Sequence, residues 1–163
     1  MAASDAIRAL TDLEPCLKWP NDLLLKNRKV AGILVETLTR PKQPPLALLG
    51  LGLNLLQELS DFPQELRKSA ISLRQASGRR IPRIQALATF LTYLDQRLHQ
   101  APGDILADWR AGFTPMGRNL TVRVGGENLC GIAESIDASG HLHLRLPNGE
   151  IRVLASGETN FPA

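Results

Sequence analysis

The chain has 163 residues, 44% of them hydrophobic, which suffices for a real core in one compact domain or a domain with a small appendage. Its 19 lysines and arginines against 16 acidic residues leave a formal charge of +3, but the two signs are interspersed without a basic cluster, which argues against a nucleic-acid partner. No apolar run is long enough to span a bilayer, Met1 opens no basic and apolar leader, and Cys16 and Cys130 follow no metal or redox spacing, so a cytoplasmic chain with two free thiols and no membrane contact is expected.

From the N-terminus, Ile7, Leu10 and Leu13 predict a short amphipathic helix over residues 2–13, with Ser4 and Asp5 as cap residues. The helix leads into a strand ending at Lys18. Pro20 then fixes its own φ and pushes Trp19 out of the α region, so Trp19, Pro20, Asn21 and Asp22 form a stiff polar turn. An apolar stretch from Val30 to Val35, interrupted by Ala31 and Gly32, reads as a buried strand that lets something approach its backbone. A loop at residues 41–45 separates it from the run Leu46 to Leu55, and the two runs are expected to pair as a hairpin. Beyond Asp61, Ile84, Leu87, Leu91, Leu94 and Leu98 step by three and four between Pro82 and Pro102-Gly103, predicting a helix, and a shorter one follows over residues 104–109.

Near Gly112 the composition changes, and Pro115 and Gly117 punctuate a linker. Strands are expected at residues 120–124, 130–136, 141–146 and 151–154, separated by turns at Gly125-Gly126, residues 137–140 and residues 147–149. About fifty residues of this kind suggest a partly open SH3-like barrel, small enough that docking on a neighbour helps its stability. Strands followed by helices make the whole an α+β fold.

The chemistry concentrates at residues 18–22. An isolated lysine is ordinarily a solvated charge. At a strand end beside a constrained turn, however, a cation can stand near carboxylate and phosphate oxygens and offset the repulsion between two reacting anions, which is what acyl-adenylate formation needs. Asn21 and Asp22 equally suit a plain Asx-type turn. Gly50-Leu51-Gly52-Leu53-Asn54 has the first two glycines of a dinucleotide fingerprint but carries Leu55 where the third is required, and no Walker-type phosphate loop occurs. Asn54 offers a donor and an acceptor suited to an adenine edge, or simply ends a strand. His141 and His143 share a strand face without a close carboxylate or thiol, so no metal site is assigned. His99 belongs at a helix C-terminus, and Arg79-Arg80 in an exposed loop.

KWPND, RKVAGILVE and GLGLN, followed by a C-terminal β module, resemble the biotin-protein ligases. The resemblance covers nearly the whole chain, strongly over residues 17–54. It implies residues 1–113 as the C-terminal portion of the catalytic domain, a partial class II synthetase-like mixed sheet with helices, and residues 114–163 as an SH3-like domain. It implies biotin and ATP as substrates, with Mg2+, and a biotin carboxyl carrier protein of acetyl-CoA carboxylase as partner. By the same resemblance, Lys18 meets the biotin carboxylate and phosphate, Gly32 and Ile33 give backbone contacts to biotin, and Asn54 meets adenine.

One departure stands against this match. The family's glycine- and arginine-rich loop precedes KWPND, whereas seventeen unmatched residues stand there in this chain. The sequence thus reads as N-terminally truncated, with weak or absent activity on its own, no helix-turn-helix, and an open sheet edge that a homodimer or partner would bury. Two other readings compete: a noncatalytic SH3-like interaction module on a scaffold, weakened by a module whose one aromatic is Phe161, and a lipoate- or octanoate-transferring relative.

Overall fold

The structure is a computed structural model that describes residues 1–113 and 115–160. Phe161 lies outside the described residues. The fold is α+β, and the chain divides into two compact units. The first comprises Ala2–Pro15 and Asn21–Tyr93; the second comprises Met1, Cys16–Pro20 and the chain from Leu94 onward.

In the first unit, helix α1 (Ala2–Thr11) buries Ile7 and Leu10. It begins at residue 2 as expected and ends two residues short of Leu13; Ser4 and Asp5 are buried residues within the helix rather than caps, and Asp5 pairs with Arg8 at 3.2 Å. The helix stops where Asp12 turns to a positive φ of 60°. Arg79 closes that end: its guanidinium donates to the Leu10 carbonyl at 3.1 Å and to Asp12 Oδ2 at 2.5 Å. A cation at a helix C-terminus meets both the orphan carbonyls and the negative end of the dipole. Arg79, expected in a free loop, is therefore a cap on a neighbouring element.

Strands β2 (Asp22–Leu25) and β3 (Arg28–Arg40) form a hairpin through Lys26-Asn27. Both turn residues have positive φ, 51° and 59°, as the twist of a two-residue hairpin requires. β2 was not legible as a strand, because Leu23, Leu24 and Leu25 run without alternation; all three are buried. β3 continues into β4 (Gln43–Leu53) antiparallel, with Gly32 opposite Gly52 and Leu34 opposite Gly50. The loop expected at residues 41–45 is shorter, because only Pro41 and Lys42 turn and Pro44-Pro45 lie within β4. The register shifts there between Leu38 and Arg40, and β4 is an edge strand, the two circumstances in which a strand tolerates residues without an N–H. Leu34, Val35, Leu38, Leu46, Leu48 and Leu49 are exposed along this hairpin.

Past β4, two single 3-10 turns lead to α2 (Leu73–Ser77), which opens on a capping box: Ser72 Oγ accepts from Gln75 N and Gln75 Oε1 accepts from Ser72 N, each at 3.1 Å. Helix α3 (Arg83–Leu98) forms where its periodicity predicts, but its buried residues are Ala86 and Phe90. Ile84, Leu87, Leu91 and Leu98 are exposed.

In the second unit, α4 (Pro102–Gly112) starts two residues earlier and ends three later than residues 104–109, with Pro102 in the first turn where its missing N–H costs nothing. Strands β5 (Asn119–Val124), β6 (Glu127–Ile136), β7 (Leu142–Arg145), β8 (Ile151–Leu154) and β9 (Glu158–Asn160) make an antiparallel sheet in the order β8-β7-β6-β5-β9. The closing strand β9 was not expected. Its anchor is Thr159, a fully buried hydroxyl that donates to the Trp19 carbonyl at 2.7 Å. The core joins Phe113, Leu120, Val122, Ile136, Leu142 and Leu144 to Trp19. Trp19 follows β1 (Cys16–Lys18), is 2% exposed, and donates its indole N–H to the Gly140 carbonyl at 2.9 Å. The tryptophan of KWPND is thus a core residue of the β module.

His99 Nδ1 lies 2.7 Å from the Asp95 carbonyl at the end of α3. His141 and His143 do share a face, but a carboxylate is close after all: Asp137 Oδ2 stands 3.0 Å from His141 Nδ1 and 3.5 Å from His143 Nε2. Its other oxygen accepts from the backbone N–H groups of Ser139 and His141. These hydrogen bonds, the one from the His141 backbone foremost, hold the Asp137 carboxyl down at about 2.

Candidate functional site

The first unit contains an open cleft of about 490 Å3 lined by Asn21, Asp22, Lys29, Gly32, Leu34 and Gly52, together with Ile33, Gly50 and Leu51. The register explains it. Asp22, Gly32 and Gly52 stand side by side across β2, β3 and β4, so two of the three adjacent positions carry no side chain. A Cβ on Gly52 would come 3.7 Å from the Gly32 carbonyl, an ordinary contact, so the glycines leave space rather than relieve a clash between strands.

Asn21 holds the rim. Its Nδ2 donates to the Ile33 carbonyl at 2.7 Å, and its own carbonyl accepts from the Ile33 N–H at 2.9 Å. Asn21 is therefore a clamp between the start of β2 and β3, and not a local Asx turn. Asp22 Oδ1 pairs with Lys29 Nζ at 2.6 Å, and this pair lies over Gly32: a Cβ there would be 3.2 Å from Asp22 Oδ1 and 3.2 Å from Lys29 Nζ. Lys29 is a cleft residue the motif reading missed. No local alternation signals it: the register shift between Leu23 and Leu24 sets Lys29 opposite Leu24, on the face that Asp22 and Gly32 share.

Of the sequence-derived site residues, Gly32 and Ile33 meet in this cleft. Lys18, half-buried, ends β1 in the second unit. Asn54 directly follows β4, outside the cleft lining, and its Nδ2 donates to the Lys29 carbonyl at 3.4 Å and the Ile71 carbonyl at 3.3 Å. Its backbone completes the brace, N–H to the Val30 carbonyl and carbonyl from the Leu73 N–H, both at 2.9 Å. The amide hydrogens thus serve the fold. Among the described residues, no three His, Cys, Asp or Glu side chains converge as a metal site.

Two family models match the chain. The Biotin/lipoate A/B protein ligase family matches residues 3–54 and the Biotin protein ligase C terminal domain matches residues 116–159. The bifunctional ligase/repressor BirA of Bacillus spizizenii is 31% identical over 155 residues, covering 91% of this chain and 47% of that protein. The biotin--[acetyl-CoA-carboxylase] ligase of Mycobacterium tuberculosis is 33% identical over 165 residues, covering 97% and 58%. The chain spans about half the length of the curated relatives it matches. Among solved structures, the biotin protein ligase of Aquifex aeolicus in complex with biotin and ATP has the same fold, with a TM-score of 0.79 at 23% identity, over 98% of this chain and 66% of that one. KWPND and the glycine-floored hairpin lie in the segment matched by one model and the five-stranded sheet in the segment matched by the other, so both parts of the chain are similar to biotin protein ligases.

Proposed function

We propose that the protein is a biotin-protein ligase acting in two steps. In the first, a biotin carboxylate oxygen attacks the α-phosphorus of ATP and pyrophosphate leaves; in the second, a lysine amine of a biotin carboxyl carrier domain attacks the acyl carbon of biotinyl-AMP and AMP leaves. The observation that carries this reading is the cleft floored by Gly32 and Gly52, whose mixed lining sets the polar groups of Asn21, Asp22 and Lys29 beside Ile33, Leu34 and Leu51 and so suits an acid with both an apolar body and a polar ring. Gly32 and Ile33 give backbone contacts to biotin, Asn54 Oδ1 accepts from the adenine amino group, and Lys18 brings positive charge to the carboxylate and phosphate as they approach. Residues 1–113 then serve as the C-terminal portion of the catalytic domain and 114–163 as the SH3-like domain.

The residues described do not build a metal site, so Mg2+ would arrive on the phosphates of ATP, and no step is assigned to it. The name shared by relatives, biotin--[acetyl-CoA-carboxylase] ligase, supports the carrier of acetyl-CoA carboxylase as the partner. Cys16 and Cys130, neither in a disulfide, suit the cytoplasm, and the exposed leucines on the β4 edge support a homodimer.

The test is binding of biotin, lipoate and ATP, followed by adenylate formation by a full-length homologue carrying the change Lys18→Ala. Biotin and ATP should bind and lipoate should not. The variant should lose about a hundredfold or more in adenylation rate while melting close to the parent, the scale of removing a preorganised charge from a transition state. A near-normal rate would remove Lys18 from the mechanism.

A further inference from the structure

We infer that Asp137 is a positioning residue for Lys18: it shapes the turn whose Gly140 carbonyl receives the Trp19 indole, and the peptide held in that way is the one that bears the lysine. The inference rests on the ligase reading for what Lys18 does, and on contacts within the second unit for how it is held. Asp137 spends its whole carboxylate on one turn. Oδ1 accepts from the Ser139 N–H at 2.8 Å and the His141 N–H at 2.9 Å. Oδ2 stands against the imidazoles of His141 and His143. The main chain closes the same residues, with the Asp137 N–H donating to the His141 carbonyl at 3.0 Å and the Asp137 carbonyl accepting from the Gly140 N–H at 3.2 Å. One residue earlier, the Arg110 guanidinium of α4 donates to the Ile136 carbonyl. Gly140 then takes a φ of 82°, in the region where only glycine is free of strain. The two Oδ1 bonds alone would make an ordinary Asx-type turn.

The additional contacts fix one acceptor. The Gly140 carbonyl accepts from Trp19 Nε1 at 2.9 Å. Trp19 is packed among Phe113, Leu120 and Val122, but apolar packing has no preferred direction, and the hydrogen bond is the contact that orients the ring in its plane. Thr159 grips the Trp19 carbonyl at 2.7 Å, so residue 19 is held at both its side chain and its main chain. Lys18, the last residue of the three-residue β1, is bonded directly to it. Relaxing the turn removes one of the two grips, and a misplacement of about 1 Å at a reacting group can cost about a hundredfold in rate.

Two readouts on the full chain follow this path: the nitrogen-15 NMR signals of the two indoles, Trp19 and Trp109, and the acylation rate of each lysine by a water-soluble ester, read by mass spectrometry. Asp137→Ala should shift the Trp19 signal, speed its hydrogen exchange by about tenfold or more, and leave Trp109 within about twofold. Lys18 acylation should change by about threefold or more while Lys26, Lys42 and Lys68 stay within about twofold. Asp137→Asn keeps an acceptor for Ser139 and His141 and should restore both readouts. Trp19→Phe should alter Lys18 acylation as Asp137→Ala does, and the double variant should go no further, because both changes act on one hydrogen bond. In a full-length homologue carrying Asp137→Ala, the adenylation kcat should fall about ten- to a hundredfold with the KM for biotin within about twofold. An unmoved Trp19 signal, unchanged Lys18 acylation, additive effects in the double variant or an unchanged kcat overturns the inference. Should Asp137→Ala fail to fold, Asp137→Ser, whose hydroxyl accepts the same turn bonds more weakly, takes its place with the same expectations. If the labelling results hold but Lys18→Ala leaves adenylation untouched, the ligase role of Lys18 fails and the path of contacts stands.

Discussion

Replacing Trp19 tests whether a residue of the KWPND motif is structurally part of the C-terminal module. The indole is 2% exposed in a core with Phe113, Leu120, Val122 and Leu144, and its N–H donates to the Gly140 carbonyl. Truncating a buried tryptophan to alanine costs about 3–5 kcal/mol through lost burial and the cavity left behind. Losing the indole hydrogen bond adds about 1 kcal/mol, since the Gly140 carbonyl sits in a half-buried turn where water replaces only part of it. Trp19→Phe keeps one ring and loses the N–H, so about 2 kcal/mol is expected, between that one bond and the full truncation. The Thr159 hydroxyl bonds the main-chain carbonyl of residue 19 and survives both changes. Urea denaturation followed by fluorescence reads the effect directly. The chain has two tryptophans, and the other, Trp109, stacks on Phe113 at 5.0 Å between ring centroids, so each variant keeps one reporter in the same unit. A Trp19→Ala midpoint equivalent to less than about 1 kcal/mol of destabilisation would refute the packing argument, because no buried indole is removed so cheaply.

Two further changes probe the β module. Gly131→Ala would place a Cβ 2.4 Å from the Arg145 carbonyl oxygen of the adjacent strand, so the backbone of β6 or β7 must move; a loss of about 1–3 kcal/mol in thermal unfolding is expected, and an unchanged melting temperature would show that the strands separate freely there. Asp137 predicts an acid-limb effect: its folded-state carboxyl is depressed from 3.8 to about 2, so its contribution is complete above pH 3.8 and disappears as pH falls toward 2. Asp137→Asn should therefore flatten the stability profile between pH 4 and pH 2, and parallel profiles for variant and parent would reject the assignment.

The β3-β4 hairpin was legible because two apolar runs with glycines flank a proline-rich break. What was not legible was how small the break is, since Pro44 and Pro45 read as loop until the edge position and register shift are known. Periodicity found α3 but not its buried side: Ile84 and Leu98 are 73% and 74% exposed, and Phe90 lies inside. A hydrophobic period identifies a helix without identifying what covers it. At the site, Gly32 and Ile33 were readable as a backbone-accessible strand. Lys29 was not, because a lysine beside an arginine looks like solvated surface until the hairpin brings Asp22 to it. The roles of Asn21 and Trp19 depended on partners 12 and 121 positions away, contacts that no local pattern encodes.

Because Trp19 is moored to Gly140 and Thr159, the covalent neighbour of Lys18 is part of the C-terminal barrel's own masonry. Excising that barrel at a boundary drawn near residue 113 would unseat the peptide that carries the lysine, and grafting it onto another scaffold without residues 16–20 would leave an indole-shaped hole. Under the proposed role of Lys18, loss of activity after such surgery would accordingly report a displaced ammonium group rather than a function of the barrel itself.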